Sequence, residues 1–214
     1  MIIAIDGPAG SGKTTVAKRL AEGLGFLYLD TGATYRTLTL KALQEGVSFD
    51  DPDKLVDLAN NLNIKLEGEK VFLDGQEVTK EIRSPLIDRS ISKPVALSGV
   101  REAMVKLQRG LVKNKDAVVE GRDITSIVFP QAGYKFFLDA NIKQRAKRRY
   151  NQLCDRGIKI TLKEVERQMN IRDEADLNRD IGPLRITDDA IYLDTTDLSV
   201  KGVLDIIVKY IKNG

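Results

Sequence analysis

The chain contains no histidine, and it has a single cysteine among 214 residues. Without histidine, catalysis by a Ser-His-Asp or Cys-His arrangement is excluded, and a zinc site is disfavoured. The lone Cys154 cannot form an internal disulfide, and no histidine is present to activate its thiol. Chemistry must therefore depend on carboxylates, lysine, arginine, hydroxyl groups and a hard metal ion.

Long apolar runs are also missing, so the sequence predicts no transmembrane segment. A strand-like run begins directly after Met1, which leaves no room for a signal peptide. A composition of 42% hydrophobic and 30% charged residues is typical of a soluble globular protein. We expect a cytoplasmic protein without a membrane partner, with one core and at most a small insertion.

Strong net charge is the third absence, because the formal charge is only +3. This value is too small to predict a nucleic-acid partner, and no exposed apolar seam predicts an oligomer. We therefore expect a monomer that acts on small molecules. The basic residues nevertheless cluster: these are Lys143, Arg145, Lys147, Arg148, Arg149, Arg156, Arg172 and Arg179.

The segment Gly7–Thr14 reads GPAGSGKT and matches the phosphate-binding pattern G-x-x-x-x-G-K-[ST]. Its glycines allow the backbone to turn sharply, and the following helix start adds partial positive charge. The pattern predicts that Lys13 reaches the outer phosphates of a nucleoside triphosphate and that Thr14 ligates Mg²⁺. The predicted ATP-binding residues are Gly7, Pro8, Ala9, Gly10, Ser11, Gly12, Lys13, Thr14 and Thr15.

Apolar runs alternate with helical patterns along the chain. The predicted strands are Ile2–Ile5, Phe26–Leu29, Ala117–Val119, Lys135–Leu138 and Ile191–Leu193. The predicted helices are Lys13–Gly23, Thr34–Glu45, Pro52–Asn61, Ser98–Val112, Ile142–Arg156, Leu162–Asp176 and Val200–Lys212. This alternation predicts an α/β fold with a five-stranded parallel sheet flanked by helices, which binds ligands at the carboxyl ends of the strands.

The segment Asn63–Val78 breaks this rhythm, because apolar and polar residues alternate along it. Asp74-Gly75 within it is a strong signal for a tight hairpin. We predict a small antiparallel β insertion that packs on neighbouring helices, since two or three strands alone are only marginally stable.

Asp30–Arg36 follows the second predicted strand. Asp30 and Thr31 suit a helix N-cap, which places Tyr35 and Arg36 in the first turns. At the carboxyl edge of the sheet, the guanidinium can hold a second phosphate and the tyrosine ring can contact a base. A half-buried aromatic without a ligand is the alternative for Tyr35.

Two further clusters are rich in charge. Glu120–Asp123 ends the third predicted strand and resembles a Walker B strand, although Gly-Arg-Asp is not the usual ATPase continuation. Arg172, Asp176 and Arg179 are spaced by four and three, so they share one helix face. A solvated ladder of ion pairs is the alternative for this second cluster.

Six motifs together resemble the bacterial cytidylate kinase family from the first strand to the final helix. They are GPAGSGKT (Gly7–Thr14), DTGATYR (Asp30–Arg36), SKPVALSGVRE (Ser92–Glu102), EGRD (Glu120–Asp123), VFP (Val128–Pro130) and RDEADLNR (Arg172–Arg179). The resemblance implies one P-loop kinase domain over 1–214, with a nucleoside-monophosphate-binding insertion at about 60–95 and a short lid at about 153–172.

The resemblance also implies roles for individual residues. It implies contacts to the base from Ser92, Arg101 and Asp123, and contacts to the sugar from Arg172 and Asp176. It also implies that the acceptor phosphate is bound by Arg36, Arg122 and Arg179. The same CMP pocket is lined by Thr31 and Tyr35. Lid contacts to the triphosphate fall to Arg148, Arg149 and Arg156. The expected catalytic residues are Lys13, Arg122, Arg148, Arg149 and Arg156.

The chain departs from the family pattern at two places. Glu120 stands where the family often has aspartate, and Thr125-Ser126 stands where Gly-Thr often follows. The carboxylate type is retained, so we expect Glu120 to act near Mg²⁺ through water.

The implied reaction is phosphoryl transfer from ATP to CMP or dCMP. Another small P-loop kinase, for UMP, AMP or a metabolite such as shikimate, is the nearest alternative. A GTPase switch requires Asn-Lys-x-Asp, and Asn114–Ala117 has its acid in the wrong place. A nucleic-acid-dependent ATPase is disfavoured by the weak net charge and by the lack of an Asp-Glu pair on the third predicted strand.

Overall fold

The computed structural model describes residues 1–213, which fall into two compact units. The first unit comprises Met1–Gly25 together with the residues from Val118 onward, and the second comprises Phe26–Ala117. The sequence-based division into an insertion at about 60–95 and a lid at about 153–172 remains a prediction.

The strands form two sheets. They are β1 (Ile2–Asp6), β2 (Leu27–Asp30), β3 (Ile64–Glu67), β4 (Lys70–Leu73), β5 (Gln76–Glu77), β6 (Ala117–Gly121), β7 (Tyr134–Asp139) and β8 (Ile191–Asp194). The larger sheet has five strands in the order β2-β6-β1-β7-β8, and the smaller has three in the order β3-β4-β5. The predicted α/β fold with a five-stranded parallel sheet and a separate antiparallel insertion is confirmed.

Helices connect these strands. They are α1 (Lys13–Leu24), α2 (Thr31–Gln44), α3 (Pro52–Asn60), α4 (Pro85–Ser90), α5 (Ser92–Ala96), α6 (Ser98–Leu111), α7 (Ile142–Asp155), α8 (Leu162–Leu177) and α9 (Val200–Asn213). A 3-10 turn covers Glu81–Arg83 and a π-helical turn covers Ile124–Val128. Within residues 1–213, every helix is too short or too polar to cross a bilayer.

Apolar strands form the centre of the first unit. Ile3, Ala4 and Ile5 of β1 and Phe136 and Leu138 of β7 are completely buried. Consecutive strand residues point to opposite faces, so burial on both faces requires cover on each side of the sheet. The strand ends that carry the site are therefore held on a rigid core.

The smaller sheet belongs to the second unit and has two tight turns. Asp74 and Gly75 have φ of 49° and 84° between β4 and β5, as a primed hairpin turn requires. Gly68, with φ of 57°, begins the turn between β3 and β4. Val71 and Leu73 of β4 are buried in one apolar cluster with helix residues of the same unit. The predicted packing of this insertion on helices is confirmed.

Local contacts shift or create several elements that the sequence did not predict. Helix α2 begins at Thr31 instead of Thr34, because the Asp30 side chain caps it and accepts the Ala33 N–H at 3.0 Å. The predicted cap is thereby confirmed. The short helices α4 and α5 and the π-helical turn lack a long periodic pattern, and sequence periodicity cannot reveal elements of five or six residues.

Candidate active site

The segment that matches the phosphate-binding pattern connects β1 to α1. Gly7, Gly10 and Gly12 have φ of 147°, 77° and 97°, which residues with a Cβ rarely adopt. A Cβ at Gly7 would overlap the Leu138 carbonyl oxygen, so the loop backbone packs directly on β7. The N-cap of α1 is Gly12, which has no side chain to cap the helix. The first N–H groups of α1 are therefore suited to bind an anion.

Lys13 is the first residue of α1 and is only 4% exposed. Its Nζ donates a hydrogen bond to the Pro8 carbonyl oxygen of the same loop at 2.8 Å. Burial, followed by the charge of Arg122, lowers the pKa of Lys13 to about 7. The ammonium group thus lies in surroundings that disfavour its charge until an anion is bound.

Other charges in the first unit act on the same lysine. Arg172 also lowers the pKa of Lys13, whereas Glu120 and Asp6 raise it. Arg122 and Arg172 are residues predicted for the acceptor, and Lys13 is predicted for the donor. The structure therefore brings donor and acceptor residues of the first unit into one electrostatic environment.

Oxygen groups near the loop have the chemistry that Mg²⁺ prefers. Thr14 and Thr15 are exposed in the first turn of α1, and Glu120 is 4% exposed at the end of β6. The buried Ser11 Oγ has no hydrogen-bond partner among residues 1–213. No cluster of three carboxylate, thiol or imidazole groups suited to a metal occurs in the same range. The oxygen donors present fit a hard ion whose remaining ligands come from phosphate and water.

Thr195, directly after β8, holds the phosphate-binding loop through a hydrogen bond. Its hydroxyl donates to the Ser11 carbonyl oxygen at 2.8 Å and contacts the Asp139 carbonyl oxygen at 2.9 Å. Arg148 of α7 donates to the Thr195 carbonyl oxygen at 2.6 Å, and at 3.5 Å to the Gly10 carbonyl oxygen. Arg148 is thus at the loop, where its position is determined by backbone oxygens.

Arg145 is a second contact between α7 and the loop. It donates to the Ala9 carbonyl oxygen at 3.2 Å and to the Asp173 carboxylate of α8 at 2.6 Å. The predicted lid residues lie nearby in sequence: Arg149 is half-buried in α7, and Arg156 is exposed after that helix. Their contact with a triphosphate stays a prediction.

Asp176 of α8 binds two residues of the first unit that are predicted for the acceptor. Its side chain is buried and accepts from Arg122 Nε at 2.8 Å and from Arg179 Nη2. Arg172, one turn earlier, is exposed. The structure thus brings Arg122, Asp176 and Arg179 together, as a buried carboxylate between two guanidinium groups, and not as a solvated ladder.

Asp123 is 6% exposed and immediately precedes the π-helical turn. Asp6 at the end of β1 holds this turn: its carboxylate accepts the Ile124 N–H at 2.9 Å and the Thr125 N–H at 2.8 Å. The Thr125 hydroxyl donates to it as well, at 2.7 Å. Burial raises the pKa of Asp6 despite these bonds. This anchor determines where the preceding Arg122 and Asp123 lie.

The second unit contains the remaining residues predicted for the acceptor. The Arg101 guanidinium lies 6.0 Å from the centre of the buried Tyr35 ring, within cation–π range. Thr31 is buried at the start of α2, and Ser92 is exposed at the start of α5. The structure thus brings Tyr35 and Arg101 together.

Arg36 of α2 contacts two other parts of the second unit. Nη2 donates to the Asp88 carboxylate of α4 at 2.5 Å, and Nη1 donates to the Ile82 carbonyl oxygen at 3.2 Å. The side chains of Arg36 and Asp88 are 16% and 29% exposed. The guanidinium predicted to bind the acceptor phosphate is therefore already paired with a carboxylate.

Sequence reasoning missed several supporting residues. They are Asp6, Asp88, Asp173 and Thr195. The sequence placed Arg145 in a basic cluster but did not predict its contacts with the loop and with Asp173. An aspartate directly before a glycine-rich loop is a visible signal, but its partners lie 118 residues away. Charge pairing of Arg36 with Asp88 spans 52 residues, which no local pattern encodes.

Comparison with known proteins gives a consistent result. The family model described as Cytidylate kinase matches residues 3–213. A cytidylate kinase from Caldanaerobacter subterraneus subsp. tengcongensis is 46% identical over 210 residues, covering 98% of this chain and 94% of its own. A cytidylate kinase from Fusobacterium nucleatum subsp. nucleatum is 42% identical over 212 residues, covering 99% of this chain and 97% of its own.

Among solved structures, an uncharacterised protein from Eubacterium ventriosum has a TM-score of 0.54 at 16% identity, and the match covers 100% of this chain and 99% of that one. This likeness supports the fold alone. The resemblance inferred from the six motifs is confirmed by the family model and by the two relatives. The chain belongs to the cytidylate kinase family.

Proposed function

We propose that this protein is an ATP-dependent nucleoside monophosphate kinase that converts CMP or dCMP to CDP or dCDP. The observation that carries the proposal is the family match over residues 3–213, to relatives named cytidylate kinase. The buried Lys13 in a phosphate-binding loop, beside the charges of Arg122 and Arg172, supports the same chemistry. Nothing in the site favours another acceptor.

In the reaction, an oxygen of the acceptor 5′-phosphate forms a bond to the γ-phosphorus of ATP. The bond from that phosphorus to the β,γ-bridging oxygen breaks, and its electron pair leaves with ADP. The attacking oxygen is already anionic at neutral pH, so no strong general base is needed. This fits a chain without histidine. Catalysis then consists of positioning and of stabilising negative charge.

The donor triphosphate is assigned to the loop Gly7–Thr14 and to Thr15. Lys13 would exchange its bond to the Pro8 carbonyl for phosphate oxygens, which restores its charged form. Arg148, Arg149 and Arg156 are proposed to add charge as a lid closes at about 153–172. Closure would exclude water and so suppress hydrolysis of ATP.

Mg²⁺ is proposed as the metal that accompanies ATP. Thr14, and Glu120 through water, would hold it. When bound, it neutralises part of the triphosphate charge.

The acceptor phosphate is assigned to Arg36, Arg122 and Arg179, and the sugar to Arg172 and Asp176. Thr31 and Tyr35 would line the same pocket. Ser92, Arg101 and Asp123 are assigned to the cytosine edge. Cytosine presents its amino group as a donor, and a buried carboxylate such as Asp123 accepts from it. Uracil presents an acceptor at that position and would leave the carboxylate unpaired.

We further propose that the protein serves pyrimidine nucleotide metabolism as a cytoplasmic monomer. Net charge and the shortness of the apolar runs support a small-molecule enzyme without nucleic-acid or membrane partners.

An acceptor panel tests the proposal. With ATP and Mg²⁺, CMP and dCMP are expected to support ADP formation at least about tenfold faster than UMP, because cytosine presents a donor to the buried carboxylate where uracil presents an acceptor. They are also expected to be better acceptors than AMP. ADP release is followed in a coupled assay. Equal rates with AMP would contradict the acceptor assignment, and ADP formation without any acceptor would indicate a switch or motor.

Asp123→Asn provides the matched variant for the same panel. An amide can donate to uracil, so the ratio of the CMP rate to the UMP rate is expected to fall. A ratio that stays at the wild-type value in a folded variant would assign base recognition to other residues.

A further inference from the structure

We propose that Asp88 is an internal substitute for the acceptor phosphate, and that it thereby sets the affinity and phosphate dependence of the CMP site. This inference rests on the proposed function. It starts from the pairing of Arg36 with the Asp88 carboxylate at 2.5 Å. The partner is a carboxylate, an oxyanion that pairs with a guanidinium group as phosphate does.

The contacts of Arg36 divide into one that can persist and one that competes. The bond from Nη1 to the Ile82 carbonyl orients the guanidinium and leaves its other nitrogen atoms available. The bond from Nη2 to Asp88 neutralises the charge that an incoming phosphate would use. An incoming phosphate and Asp88 therefore compete for the charge of the same guanidinium, so we expect the bond to Asp88 to break when phosphate binds.

The bond between Asp88 and Arg36 can break at a small cost in free energy. The Asp88 side chain is 29% exposed and lies in the six-residue helix α4, so water can replace the guanidinium around the carboxylate. A partly exposed ion pair of this kind contributes little net stability. A phosphate near pH 7 carries more charge than a carboxylate and wins the exchange.

The first unit shows the same principle independently. Arg122 and Arg179, also assigned to the acceptor phosphate, are both paired with Asp176. All three guanidinium groups assigned to this phosphate are thus neutralised by aspartate. Asp176 already has a proposed role with the sugar, whereas Asp88 has none. The role of Asp88 is to compete with the acceptor phosphate for Arg36.

Competition has a defined consequence for binding. If only a fraction of molecules presents an unpaired Arg36, the apparent dissociation constant rises by the inverse of that fraction. Cytidine has no phosphate and cannot displace Asp88 from Arg36. Asp88 therefore weakens the binding of CMP without changing the binding of the nucleoside.

The experiment measures kcat and KM for CMP in the wild type and in Asp88→Asn, together with the affinity for CMP and cytidine by calorimetry. We expect Asp88→Asn to lower KM and the dissociation constant for CMP about two- to fivefold, the range of a partly exposed ion pair. The change in kcat is smaller, and cytidine binding is unchanged. A KM for CMP that is unchanged or raised in the folded variant overturns the inference.

Matched variants separate competition from a structural role. Asp88→Glu keeps the charge and should restore a wild-type KM. Asp50→Asn removes another carboxylate of the second unit, paired with Lys93 at 3.2 Å, and should leave KM unchanged. In an Arg36→Lys background, Asp88→Asn should have a clearly smaller effect. Equal effects in both backgrounds contradict competition for Arg36.

The outcomes also distinguish the inference from the function on which it rests. A wild type that does not phosphorylate CMP refutes the proposed function, and the inference with it. A wild type that phosphorylates CMP, combined with an unaltered KM in Asp88→Asn, refutes the inference alone. Thermal unfolding of each variant confirms that the measured changes belong to folded protein.

Discussion

Lys13 illustrates at the scale of one residue how burial prepares a site for its ligand. Its ammonium group is nearly inaccessible and is held by a carbonyl oxygen of its own loop. Its pKa, lowered to about 7, means that the folded protein binds fewer protons than the unfolded chain between pH 7 and the ordinary pKa of 10.5. Stability therefore rises with pH over this window.

We predict that this contribution has a slope of up to about 1.4 kcal/mol per pH unit above pH 7. It is isolated as the difference in free energy of unfolding between wild type and Lys13→Met, measured by urea titration from pH 6 to pH 10. The difference should move in favour of the wild type as pH rises. A difference independent of pH would show that Lys13 stays charged in the free protein.

The lowered pKa of Lys13 also predicts that ATP binding is coupled to the uptake of a proton. A triphosphate favours the charged lysine, so binding of ATP near pH 8 should take up a proton. Calorimetry in buffers with different ionisation enthalpies measures this uptake, and Lys13→Met should abolish it.

At the scale of elements, the contact between β1 and the π-helical turn holds the preceding site segment in place. The Asp6 carboxylate binds two backbone N–H groups and the Thr125 hydroxyl at the segment that follows Arg122 and Asp123. We predict that Asp6→Asn lowers the free energy of unfolding by about 1–3 kcal/mol, because an amide nitrogen would face buried donors. Urea unfolding measures the loss.

Thr125→Val is the matched control for that prediction. It removes only the hydroxyl donor and keeps both backbone bonds, so the cost should be about 1 kcal/mol. Activity should fall further in Asp6→Asn than in Thr125→Val, because the first change displaces the segment that carries Arg122 and Asp123, both predicted site residues. Equal losses in both variants would contradict an anchoring role for Asp6.

The sequence predicted those elements whose cause is local. Predominantly apolar runs indicated β1 and β7, and Asp74-Gly75 indicated a turn that requires two positive φ values. It did not predict the π-helical turn, because the stabilising carboxylate of Asp6 lies 118 residues earlier. Motifs located the candidate site residues, but the partners Asp88 and Thr195 depend on tertiary contacts.

At the scale of the whole molecule, the residues predicted for the donor belong to the first unit, whereas those predicted for the acceptor belong partly to the first unit and partly to the second. Each ligand should therefore stabilise the fold by its own contacts. At a hundredfold excess over its dissociation constant, a ligand adds about 2.7 kcal/mol, which raises Tm by about 5–10 °C for a chain of this size.

Two variants should separate these shifts in thermal unfolding. Arg36→Ala is expected to remove most of the Tm shift caused by CMP and to retain that caused by a non-hydrolysable ATP analogue. Lys13→Met should show the opposite pattern. Loss of both shifts in both variants would contradict separate donor and acceptor roles for these residues.

The close approach of Gly7 to the Leu138 carbonyl has an implication for protein engineering. The requirement for glycine there comes from the neighbouring strand, independently of any nucleotide. If the loop were transplanted onto a scaffold whose adjacent strand ended before the position of Leu138, that steric requirement would be lost, although the positive φ would still favour glycine. The glycine at this position of the motif is therefore required in part by the packing of the loop on β7.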